Sequence, residues 1–410
     1  MAVLSSPNEH ADRSAIVSAA SRVVIKLGTA VMISEVGGVA LSRFYSFVEA
    51  IATLRKSGRE VLLVSSGAVG LGAERLALST GPESLPLKQA CAAVGQSRLM
   101  SLYSDAFDRL GLTAAQLLLT EEDFSNRTRY LNLRSTITNL LRLGVVPVIN
   151  ENDTVSTAEL EPDSPAAYRK INFGDNDKLS ALVSGKMEAD LLLILTDVDG
   201  LYNADPDTDD AAELISVVEE VTPEIESLAH QPGSPAGQMT GAASANRNSP
   251  VGRGGIKTKI EAARIATHSG CAAIVANGRL PSVIDRVMKG EDLGTLFLPQ
   301  KGLSGKRRWI AFATSINSAV VVNEGARRAL VERKASLLSA GVVQVRGEFE
   351  RGDVVSILDE RDREFARGIA NYSSHETRKI MGLHSNKIDD LIQDRNYDAL
   401  ITRDNLAFLE

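Results

Sequence analysis

Between positions 22 and 300 the apolar residues follow two alternating rhythms. Short runs at 22–26, 60–64, 113–119, 145–149, 190–195 and 272–276 are largely aliphatic. Such runs predict strands covered on both faces, as in a parallel sheet. Longer stretches at 41–56, 87–110, 130–143, 175–187, 256–268 and 282–288 read as helices. In 256–268, Ile256, Ile260 and Ala263 share one face. Strand, glycine loop and helix therefore repeat, which predicts an α/β class with a mainly parallel sheet sandwiched by helices. Ligands of such sheets sit at the carboxyl ends of the strands.

Two segments break the alternation. Residues 161–170 hold two prolines and no usable period, and read as an exposed excursion. Residues 231–252 are rich in Pro, Gly, Ser and Ala and read as a mobile loop. Past Gly305 the texture changes to short strand-like runs at 319–322, 342–345, 353–358 and 365–370. Turns such as Arg351-Gly352-Asp353 separate them, predicting a small β-rich domain. The expected division is a flexible N-terminal tail over 1–20, an α/β domain over 21–300, the β-rich domain over 306–385 and a C-terminal tail over 386–410.

Composition narrows the function classes. At 410 residues the chain is long enough for two or three domains. A net charge of −7 speaks against a protein built mainly to grip nucleic acid. Residues 301–410 hold 18 Lys and Arg against 16 Asp and Glu, a shift too mild to change that view. Two cysteines, Cys91 and Cys271, form no disulfide framework, which suits a reducing, cytoplasmic setting. Five histidines without ligand spacing give no metal site. No apolar run is long enough for a membrane span, and the first 20 residues carry Glu9 and Asp12 without the apolar stretch of a signal peptide.

Candidate chemistry gathers at the predicted strand ends. Lys26 closes the first run, with Gly28 two positions on; such a lysine either snorkels out of the sheet edge or meets an anion. Ser65-Ser66-Gly67 stands where a strand hands over to a helix, as an N-cap with a tight turn or as an anion cradle. Asn150-Glu151-Asn152-Asp153 and Gly174-Asp175-Asn176-Asp177 place two carboxylate–amide clusters at neighbouring strand ends. They could be helix caps, or could hold an α-amino group, orient a lysine or order water around Mg²⁺. Thr196-Asp197 ends an aliphatic strand. Arg253-Gly254-Gly255-Ile256-Lys257-Thr258-Lys259 opens a helix and sets Lys259 near the positive end of its dipole, a place that a polyphosphate would relieve. Neither the P-loop nor the dinucleotide fingerprint fits. Ile256 intervenes before Lys257, and Gly67, Gly70 and Gly72 come in the wrong order.

Taken together, these stretches resemble the glutamate 5-kinases of the amino-acid kinase family. The match runs in order through Val24-Ile25-Lys26-Leu27-Gly28-Thr29, Ser65-Ser66-Gly67-Ala68, Ala93-Val94-Gly95-Gln96-Ser97-Arg98, Asn150–Asp153, Gly174–Asp177, Thr196-Asp197 and Gly254–Lys259. Residues 306–382 resemble a PUA domain. The resemblance implies ATP as phosphoryl donor, Mg²⁺ as cofactor and L-glutamate as acceptor, giving L-glutamyl 5-phosphate at the start of proline synthesis. It implies that Lys26 and Lys259 contact the phosphates and that Asp177 orients them. It gives Ser66, Asp153 and Asn176 to glutamate, and Thr196, Asp197, Arg253, Gly254, Gly255, Ile256, Lys257, Thr258 and Lys259 to the nucleotide. Proline as feedback inhibitor, a homo-oligomer and contact with glutamyl phosphate reductase are further implications. The alternatives are a sister kinase with another acceptor, or RNA binding through the PUA-like domain. Two departures from the family pattern are Arg253, where a small hydroxyl residue is usual, and the extra segment 161–170.

Overall fold

The computed structural model describes residues 13–34, 37–78, 81–82, 84–120, 122–155, 176–206, 209–228, 255–300, 310, 316, 318–383 and 399–409. The two irregular segments, 161–170 and 231–252, lie outside them, as do Arg253 and Gly254.

The first unit is built on an eight-stranded sheet. Its strands are β1 (Arg22–Leu27), β2 (Glu60–Ser65), β3 (Ala114–Leu119), β4 (Val146–Glu151), β5 (Leu191–Thr196), β6 (Val217–Val218), β7 (Ala272–Asn277) and β8 (Thr295–Phe297). They lie in the order β3-β4-β2-β1-β5-β7-β8-β6, and only β7 with β8 runs antiparallel. The helices over this stretch are α1 (Arg13–Ala19), α2 (Thr29–Met32), α3 (Leu41–Lys56), α4 (Ala68–Arg75), α5 (Leu85–Arg109), α6 (Glu122–Ser125), α7 (Arg127–Arg142), α8 (Asn176–Lys186), α9 (Pro223–Leu228), α10 (Ile256–His268) and α11 (Val283–Met288), of which α6 and α7 as far as Leu131 group with the second unit.

Strand periodicity explains which face holds what. Val23, Ile25 and Leu27 of β1 join one apolar cluster with Leu63, Leu193, Phe44, Ile51 and Phe107. Residues of opposite parity, Val24 and Lys26, therefore face the other side. There α8 packs on β1 and β5, and α10 packs on α8. No helix of the described residues is long and apolar enough to cross a membrane. Cys91 and Cys271 are buried, and neither forms a disulfide among the described residues.

Two sequence expectations change. Residues 13–19 are helical rather than a flexible tail. The Arg13 guanidinium donates to the carbonyls of Leu293 (2.6 Å), Ser216 (2.8 Å) and Gly294 (3.2 Å) and pairs with Asp292, while Val17 is buried. At the other end, residues 399–409 are integral to the second unit. There β13 (Leu406–Phe408) pairs with β12 (Glu364–Ile369), and Leu400, Ile401 and Leu406 are buried.

That second unit holds a five-stranded sheet in the order β10-β9-β11-β12-β13, with β9 at Ala319–Val322, β10 at Val342–Arg346 and β11 at Val354–Leu358. The β-rich texture is as expected, but helices accompany it among the described residues. Glu324–Arg333 starts at Asn323, whose side chain accepts from the Ala326 amide. Ser374–Ile380 starts with a capping box between Ser373 and Glu376.

Candidate active site

Lys26 sits on β1, the fourth strand of the eight, paired in register with Val64 of β2 and Ile194 of β5. It is buried, and burying an ammonium costs several kcal/mol unless a charge meets it. Asp177 supplies that charge from the first turn of α8, where the helix dipole also favours a carboxylate. Lys26 Nζ lies 2.5 Å from Asp177 Oδ1. From α10, the buried Lys259 places its Nζ 3.2 Å from Asp177 Oδ2. Thr258 Oγ1 lies 2.9 Å from that same oxygen. Two cations from different elements thus share one fully buried carboxylate, and the aspartate that offsets Lys259's place near the dipole's positive end also orients Lys26.

Gly28 fits closely beside this cluster. A Cβ there would stand 3.3 Å from the Leu195 carbonyl oxygen and 3.4 Å from Lys26 Nζ. Its N–H donates to Leu195 O at 3.1 Å, which joins the β1 loop to the end of β5. On the other flank, Gly255 precedes α10 with extended backbone and no side-chain cap, so the first amides of that helix are not claimed by a cap. Ile256 and Thr258 are half-buried and Lys257 is exposed.

The next strand ends bring amides and hydroxyls together beside the buried carboxylate of Glu151. Gly67 takes φ +103°, a left-handed turn that brings β2 into α4 and leaves Ser66 at the edge. Asn176 Nδ2 donates to Ser66 Oγ at 2.9 Å and to Asn150 Oδ1 at 3.0 Å. Asn150 Nδ2 in turn donates to Gln96 Oε1 at 2.8 Å. Beneath them Ser65 Oγ is 2.8 Å from the fully buried Tyr103 hydroxyl. Burial pushes that phenol far above its ordinary pKa, so it stays protonated. Asp153 lies half-buried in the turn after β4, at the same sheet edge.

Thr196 is buried at the end of β5 with Oγ1 3.1 Å from Asp197 Oδ1; Asp197 is exposed. A neighbouring group that the sequence did not single out is Asn277, at the matching end of β7. Its Nδ2 donates to Asp199 Oδ1 at 2.8 Å, and the Tyr202 hydroxyl donates to Asp199 Oδ2 at 3.3 Å.

The structure therefore joins Lys26, Lys259, Asp177 and Thr258 in one cluster, and Ser66 with Asn176 in an adjoining one. Arg253 and Gly254 lie outside the described residues. Gln96 and Asn150 were legible only as parts of motifs. The available signal for Gln96 was a lone amide in the small-residue run Ala92-Ala93-Val94-Gly95. Among the described residues, no three His, Cys, Asp or Glu side chains gather as a metal cage.

A model of the amino acid kinase family matches residues 21–277, and one of the PUA domain matches residues 318–392. The chain is 44% identical over 390 residues to a glutamate 5-kinase of Caldanaerobacter subterraneus subsp. tengcongensis, covering 95% of this chain and 98% of that one. It is 46% identical over 398 residues to a glutamate 5-kinase of Citrifermentans bemidjiense, covering 97% and 100%. Among solved structures, carbamate kinase from Giardia lamblia bound to AMP-PNP aligns with TM-score 0.46 at 20% identity, over 69% of this chain and all of that one.

Proposed function

The chain belongs to the amino acid kinase family and, within it, to the glutamate 5-kinases, and from that premise we propose that it transfers the γ-phosphoryl group of ATP to the side-chain carboxylate of L-glutamate. The product is L-glutamyl 5-phosphate, which opens proline synthesis. The observation that carries the site assignment is the convergence of Lys26 and Lys259 on the buried Asp177 at the carboxyl edge of the sheet.

Chemistry explains why so few groups suffice. The acceptor carboxylate is ionised at neutral pH, so no residue needs to remove a proton from it. What the protein supplies is alignment of donor and acceptor and positive charge on the transferring phosphoryl oxygens. Lys26 and Lys259 supply that charge from two elements, held apart at fixed geometry by Asp177. Gly28, Gly254, Gly255 and the opening of α10 receive the phosphates, with Arg253, Ile256, Lys257, Thr258, Thr196 and Asp197 along the nucleotide. Ser66, Asn176 and Asp153 hold glutamate. Mg²⁺ would come with the nucleotide, held by its phosphates, water and few protein carboxylates. When bound, the ion neutralises phosphate charge.

We further propose feedback inhibition by proline, a homo-oligomeric assembly, a cytoplasmic setting and handover of the labile acyl phosphate to glutamyl phosphate reductase. The test of the reaction is ATP-dependent formation of γ-glutamyl hydroxamate in the presence of hydroxylamine, run in parallel with aspartate, carbamate and UMP as acceptors. Product with glutamate alone supports the assignment. ATP consumption driven by another acceptor but not by glutamate overturns it.

A further inference from the structure

We infer that Gln96 is a positioning residue that sets the amide polarity of Asn176 through Asn150 and thereby selects acceptors carrying an α-ammonium group. This rests on the proposed placement of glutamate at Ser66 and Asn176. Both N–H groups of Asn176 are spent inside the protein, one on Ser66 Oγ (2.9 Å) and one on Asn150 Oδ1 (3.0 Å), with the Ser65 carbonyl a further 3.5 Å contact. Its Oδ1 is buried and has no hydrogen-bond partner among the described residues. An orphaned buried acceptor is costly, and it is relieved by a donor from outside the protein. On L-glutamate at neutral pH, the only strong donor is the α-ammonium.

The direction of Asn176 is not chosen by Asn176 itself. An amide can be turned end for end, and its neighbours decide which end points where. Asn150 offers its oxygen to Asn176 only because its own Nδ2 is held by Gln96 Oε1 at 2.8 Å. If Asn150 turned over, its NH₂ would face the NH₂ of Asn176, and Asn176 would present donors to an ammonium. The backbone that carries Gln96 is closely packed. A Cβ on Gly95 would stand 1.7 Å from the Ala68 carbonyl oxygen, and one on Gly72 would stand 1.8 Å from that of Cys91. Backbones of α4 and α5 therefore touch, and Gln96 is buried beside the end of β4 with its Oε1 on Asn150 Nδ2. The three amides form a relay whose far end, Gln96, touches no substrate.

The test compares L-glutamate with glutarate, which lacks the amine, the latter measured as a competitive inhibitor. In Gln96→Met, which keeps side-chain length without an acceptor oxygen, KM for glutamate should rise roughly 10-fold to 100-fold while Ki for glutarate stays within about threefold. Gln96→Glu retains an acceptor oxygen and should keep the glutamate-to-glutarate ratio near that of the wild type. If both ligands weaken together in Gln96→Met, or the ratio is unmoved, the relay is wrong. Asn176→Ala separates the two levels. If it collapses the ratio while Gln96→Met does not, only the relay fails; if it leaves the ratio intact, the glutamate placement itself fails.

Discussion

Two adjoining parts of one sheet edge are built by opposite means. Around Asp177 the groups are full charges, buried and rigidly paired. Around Asn176 the described partners are neutral amides and hydroxyls. The charged part can follow negative charge as it shifts during phosphoryl transfer, so its contribution should appear mainly in turnover. On the proposed placement of glutamate, the contribution of the amide part should appear mainly in affinity and selectivity. A carboxylate acceptor that already carries its charge needs no proton handling from either.

Substitutions can break or sharpen this contrast. The largest effect is expected for Lys26→Ala and Lys259→Ala, each lowering kcat about 10²–10³-fold by steady-state assay with little change in glutamate KM. Asn176→Ala should show the converse, a glutamate KM raised about 10-fold to 100-fold and a smaller loss of kcat. A kcat loss as large as that of the lysine variants would erase the distinction between the two parts. Asp153→Ala is expected to raise glutamate KM roughly tenfold and leave the ATP KM in place, and an unaltered glutamate KM would remove it from the acceptor site. The smallest effect belongs to Gly28→Ala. Its Cβ would crowd Leu195 O and Lys26 Nζ at 3.3 and 3.4 Å, so kcat/KM for ATP should fall a few-fold, about 3 to 10, with glutamate binding spared.

Much of this edge was legible in the chain because strand ends are. Aliphatic runs stop where the sheet stops, so the positions of Lys26, Ser66, Asn150 and Thr196 at run ends mark a shared edge. That Lys26 and Lys259 meet on Asp177 was implied only by family resemblance, since residues 26, 177 and 259 are joined by packing of α8 and α10 and by no local pattern. Gln96 was not singled out for the same reason. Its role depends on the contact of α4 with α5 at Gly72 and Gly95, which composition alone cannot place.

The misread ends have a common cause as well. Arg13 is anchored by the carbonyls of Leu293, Ser216 and Gly294, some 200 to 280 positions away, and β13 is three residues long and held by β12. Short or polar segments stabilised by distant backbone groups give no periodic signal. Glu324–Arg333 and Ser374–Ile380 give little signal because their apolar faces are narrow; in Glu324–Arg333 only Leu330 is buried.

The central claim is that two lysines bound to one carboxylate form the phosphoryl clamp. Its most direct test is the rate of γ-glutamyl hydroxamate formation by Lys259→Ala at saturating ATP and glutamate, with glutamate KM measured alongside. A kcat lower by about 10²–10³ with KM within roughly threefold is the predicted result. Turnover equal to that of the unaltered protein would contradict the account.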